Sequence, residues 1–153
     1  AHDVLPLGAI VNGLRGGPSP IFSQGQPGLT TNFVLKEGGE ETEGQVERLE
    51  QVFEMIEKPA RGKTCPAILG LVEEGQEVMK EFKKSDAHDA GLLSGAQAVE
   101  HYEISRYGTL IAWAQQMGLT QAADLLKKTL EEEKKTDASL TKLAESSLNE
   151  MAA

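Results

Sequence analysis

The residues best placed to do chemistry are glutamates that interrupt apolar stripes. Glu100 and Glu103 are three positions apart, so on a helix they share one face. Val99, Glu103, Leu110 and Met117 fall close to one line at steps of four and seven, which turns Glu103 inward if Val99 and Leu110 are inward. Glu100 joins a neighbouring line with Leu93, Ile104, Tyr107 and Ile111. Further along, Glu132 lines up with Leu125, Leu140 and Leu143, and Glu133 with Leu126 and Leu140. Glu41 and Gln45 precede Leu49 and Val52 on another helical face. An ionised carboxylate is costly to bury unless it is paired or binds a cation. Several carboxylates in one interior repel each other and raise each other's pKa. A divalent or trivalent metal ion removes that penalty. The competing arrangement has the acids on solvated faces, or paired with Arg48, Arg106 or Lys134.

Other reactive groups are few. His101 adjoins both glutamates and would either ligate a metal or hydrogen-bond at a helix interface. His88 lies near a helix start. Tyr102, Tyr107 and Trp113 read first as packing residues, and Tyr107 is one turn from Glu103, within range of a hydrogen bond to it. The lone Cys65 lacks a partner for an internal disulfide, which fits a reducing compartment, and it reads as a packed or capping residue.

Helices must position these groups. From residue 40 the apolar residues recur at three and four. Val46, Leu49, Val52, Phe53 and Ile56 give a first helix over 40–57, stopped at Lys58-Pro59. Pro66 suits the first turn of a shorter helix weakened by Gly70 and Gly75. A long helix is predicted over 87–117, capped by Ser85 or Asp86 and ended by Gly118. Another is predicted over 121–147, with Thr120 as its cap. Long helices joined by so short a turn pack antiparallel. Residues 1–39 differ. They hold 8 of the 16 glycines, 4 of the 6 prolines and no net charge (Asp3, Arg15, Lys36, Glu37), and they read as mostly irregular.

The motifs from residue 40 resemble the YciE/YciF-type ferritin-like family. Four carry the resemblance in order: Glu41–Phe53, Gly62–Gly75, Val99–Leu110 and Thr129–Lys134. The resemblance implies an all-α fold, a ferritin-like four-helix bundle with additional short helices, over 40–150. It implies a stress-associated protein, often described as a ferroxidase by analogy with ferritins, and a homodimer or higher homo-oligomer. Its metal-ligand candidates are Glu41, Glu100, Glu103 and Glu132, with His101 and Gln45 as adjacent polar partners, around an iron or manganese di-metal centre. Two features depart from the family pattern. Residues 1–39 lack the acidic first helix, and Gly38-Gly39 stand where the second helix should already run. The Glu-x-x-His motif of ferritin di-iron sites is missing, because Gly44 follows Glu41 at +3 and Lys135 follows Glu132.

The net charge of -9 argues against nucleic acid and anionic membranes as partners and suits a protein that gathers cations. No apolar run approaches the roughly 20 residues that span a bilayer. No signal peptide is expected at the first residues, so the expected location is cytoplasmic. The rival to a metalloprotein is a non-catalytic helical bundle acting through oligomerisation or protein–protein interaction. A third reading is a binding module whose Gly/Pro-rich arm docks on a partner.

Overall fold

A computed structural model describes residues 43–62 and 64–152, with Ser147 through its backbone alone. The boundary expected between 39 and 40, the irregular arm and Glu41 lie outside these residues. The described chain is an all-α helical bundle, as the apolar spacing requires.

Helix α1 covers 43–55. It ends where Glu57 takes a left-handed conformation (φ 54°) and the Lys58 N–H donates to the Phe53 carbonyl. Helix α2, Pro66–Glu81, opens with proline in its first turn, where the missing N–H costs nothing. Helix α3, His88–Gln116, starts without a side-chain cap. Ser85 still serves that turn, because its Oγ accepts from the Ala87 N–H at 3.2 Å. Gly118 (φ +73°) closes α3 in the left-handed region that glycine enters without penalty. Thr120 is not the cap expected. It is the first residue of α4, Thr120–Leu143, and Leu119 occupies the cap position with no side-chain hydrogen bond. A π-helical turn, Ala144–Leu148, and a short helix α5, Asn149–Met151, follow.

The turn at 117–119 folds α4 back on α3, and this pair packs more extensively than α2 does on α3. The core lies in layers along it. At one end Leu93 and Ala96 of α3 meet Leu140 of α4. At the other end Tyr107, Leu110, Ile111 and Ala114 of α3 meet Ala122, Ala123 and Leu126 of α4, with Leu49, Val52 and Phe53 of α1 laid across them. Helix α2 crosses the outer side of α3. Gly75 and Gly95 let the backbones approach there, since a Cβ on Gly95 would sit 3.6 Å from the Gly75 Cα. Trp113 and Met117, each 43% exposed, are not core residues. Among the described residues, no helix is long and apolar enough to cross a membrane.

Candidate metal centre

Ala96 and Tyr107 bound the gap between the two apolar layers. Eleven helical steps separate them, about 16 Å at 1.5 Å per residue. That gap is filled with carboxylates. Glu100 and Glu103 enter from α3 and Glu133 from α4, and each offers an oxygen within 4.8 Å of the others. Glu103 and Glu133 are buried, and Glu100 is half-buried. Gln45 of α1 is buried over the same layer and donates from Nε2 to Glu133 Oε1 at 2.5 Å.

The electrostatics follow from burial. The Glu100 carboxyl is pushed up to about 10, first by loss of water, then by Glu133 and by the charges of Glu103 and Asp137. Burial and Glu133 also hold Glu103 well above the usual carboxylate range. Without a cation, the layer therefore favours the protonated forms of Glu100 and Glu103 over the ionised ones. Two polar atoms beside the layer have no partner among the described residues: Glu100 Oε2 and the Tyr107 hydroxyl. Buried polar atoms are rarely left so. Three convergent hard oxygen donors with unsatisfied atoms around them fit a divalent cation such as manganese or iron.

Glu100 and Glu103 are thus brought together, and Glu132 and His101 are not. Glu132 is one position off the inward line. Its two oxygens accept from Arg48 Nη1 and Nη2 at 2.7 and 2.5 Å, and Arg48 Nη1 also donates to the buried Thr129 Oγ1 at 2.7 Å. A guanidinium in that place repels a metal ion and consumes the carboxylate. The side chain of His101 is 67% exposed, and its Nε2 lies 3.1 Å from Asp137 Oδ1. That contact spans the α3–α4 interface, and His101 stands outside the carboxylate cluster. Gln97 steadies the same Asp137 oxygen at 3.1 Å.

A family profile described as "Domain of unknown function (DUF892)" matches residues 24–153. This chain belongs to the DUF892 family. The match begins upstream of residue 40, where the motifs begin. A curated relative is Protein YciF of Escherichia coli, 49% identical over 114 residues, which are 74% of this chain and 69% of YciF. The crystal structure of the E. coli stress protein YciF superposes with a TM-score of 0.83 at 39% identity, covering 94% of this chain and 91% of that one. YcfI from Rhodopseudomonas palustris, for which a structural role has been suggested, superposes with a TM-score of 0.76 at 38% identity over 89% and 83%.

In this DUF892 chain two features escaped the ligand set read from sequence. Glu133 lies on the line of Leu126 and Leu140. Leu126, Glu133 and Leu140 are seven apart, and both leucines are among the most buried of α4. That strict spacing is the signal that prefers Glu133 to Glu132. The second feature had no local signal. Cys65 Sγ lies 2.9 Å from Tyr102 Oη, and Arg106 stacks 4.8 Å above the Tyr102 ring. Burial raises the Cys65 thiol, but hydrogen bonds from Tyr102 and the Ile68 and Ala67 N–H groups, with the Arg106 charge, carry it below its usual value.

The Arg48 pairing gives a direct test. Glu132→Gln should destabilise the fold by about 1–3 kcal/mol, since Arg48 loses a charged, partly buried partner. It should leave the Mn(II) stoichiometry unchanged. Urea denaturation and equilibrium dialysis read the two effects. Loss of Mn(II) at unchanged stability would return Glu132 to the ligand set.

Proposed function

We propose that this DUF892 chain is a ferritin-like, stress-associated metal-binding bundle in which Glu100, Glu103 and Glu133 hold iron or manganese. The observation that carries this reading is the convergence of three carboxylates from two helices in one desolvated layer, with Glu100 Oε2 left without a partner. Fully ionised, the three carry a charge of about -3, and one divalent cation leaves about -1, a sum a buried site tolerates far better. A second ion would draw on further donors. Glu41, four positions before Gln45, is the candidate in the sequence.

The chain's own residues have separate tasks. Glu100, Glu103 and Glu133 bind. Gln45 fixes the Glu133 carboxylate by donating to Oε1. The apolar layers of Leu93, Ala96 and Leu140 on one side and Leu49, Tyr107 and Leu126 on the other exclude water. A bound iron would supply one-electron chemistry with dioxygen or peroxide, the step a ferroxidase requires. A cytoplasmic homo-oligomer belongs to the same reading. The exposed Trp113 and Met117 support association, and the acidic charge with a single cysteine supports a reducing compartment.

The test is metal analysis after anaerobic loading with Fe(II) or Mn(II) and gel filtration. At least one ion per chain is expected. A stoichiometry near zero for both metals would favour the second reading, a structural helical bundle whose acids stay protonated. The structural role suggested for the R. palustris relative is what speaks for it.

A further inference from the structure

We infer that Tyr107 is the hydrogen-bond donor of this centre, its phenol O–H reserved for a water or hydroxide that a bound cation carries into the layer. This rests on the cation-site reading above. Tyr107 is one of the most completely buried side chains in the protein, at 0% exposure. It stands one helical turn from Glu103 on α3, at the boundary between the carboxylate layer and the apolar layer of Leu49 and Leu126. Its hydroxyl has no hydrogen-bond partner among the described residues. A tyrosine there is a poor choice for packing alone. Phenylalanine would fill almost the same volume without leaving a buried donor unpaired.

The surroundings say what the hydroxyl awaits. After burial itself, the strongest charges acting on the phenol are those of Glu103 and Glu133, two members of the cluster. Both oppose its ionisation, so the group is kept as a neutral donor. Other polar groups around the layer are already committed: Arg48 holds Glu132 and Thr129, and Gln45 holds Glu133. An acceptor brought by the cation completes the set. Groups that hydrogen-bond to the ligands of a metal ordinarily tune its affinity by 10- to 100-fold.

Two measurements separate this role from packing, with Mn(II) as the probe. Tyr107→Phe should bind Mn(II) with the wild-type stoichiometry but about 10-fold more weakly. Its metal-free form should melt no lower than wild type, because the unpaired donor has gone. A packing role moves stability and leaves affinity alone. The chain has two tyrosines, so in Tyr102→Phe the ultraviolet resonance Raman tyrosine doublet reports Tyr107 by itself. Adding Mn(II) should shift it to the hydrogen-bond-donor pattern. Equal Mn(II) affinity in Tyr107→Phe, or an unshifted doublet, would overturn the inference while leaving the cation site standing. No Mn(II) on the wild type would remove both.

Discussion

Glu133→Gln should abolish Mn(II) binding and at the same time make the metal-free protein more stable. Both halves have one cause. Glu133 is 4% exposed and stands against Glu100 and Glu103 in a layer closed by apolar side chains. Its charge is a principal reason, after burial, that both neighbours are pushed up. An amide of the same shape removes that charge. Gln45 can still donate to the Oε1 of the new side chain, and the new Nε2 can donate to a neighbouring carboxylate, so no hydrogen bond need be lost. Replacing a buried charge by a well-packed neutral isostere stabilises by about 1–4 kcal/mol in favourable cases. With two carboxylates left, the cation loses its third donor and at least about 100-fold in affinity. Calorimetric melting with and without Mn(II) checks both halves. Wild type should gain about 2.7 kcal/mol at Mn(II) concentrations 100 times its Kd, and the variant about 0.4 kcal/mol or less. A variant that gains as much as wild type, or that melts lower than wild type without metal, would refute the account.

The second large effect is on pH dependence. Glu100 titrates near 10 in the folded chain, well above its unfolded value, and Glu103 is raised as well. Folded protein therefore holds protons that unfolded protein has released. With more protons on the native state, stability falls as pH rises, by about 1.4 kcal/mol per pH unit for each such proton. The contribution is complete below the unfolded pKa of about 4.3 and is lost as pH climbs through about 10. Between pH 7 and 9 the metal-free protein should lose stability relative to Glu100→Gln. That comparison cancels the titrations shared by both chains. Mn(II) binding must expel the same protons, so its affinity should rise up to about tenfold per pH unit for each proton displaced. Urea melts and Mn(II) titrations over this window read both slopes. Stability that runs parallel in the two proteins would mean that Glu100 is not carrying a proton.

The helices were legible because their signals are local. Pro66 opens α2, Gly118 ends α3, and apolar residues at three and four mark every long element. Burial of Glu103 was also legible, since Val99 and Leu110 lie on its line and Leu110 is buried. The choice between Glu132 and Glu133 was harder. Neighbouring residues on a helix differ by 100°, and both lie within the broad apolar arc of α4, so only the leucines seven positions to either side single out Glu133. His101 shows the same ambiguity, one step from both Glu100 and the exposed face it occupies.

What the sequence alone determined is an all-α chain whose long helices carry glutamates in their apolar faces, because helix periodicity and backbone breaks act between residues a few positions apart. What the tertiary structure decided is which glutamates meet. Arg48 of α1 docks over Thr129 and Glu132 and removes Glu132 from the interior, while Gln45, one turn earlier, claims Glu133. Those contacts join residues 81 to 88 positions apart. No spacing rule reaches that far, since the position of α1 across the α3–α4 pair is set by the packing of Leu49, Val52 and Phe53 into the shared core.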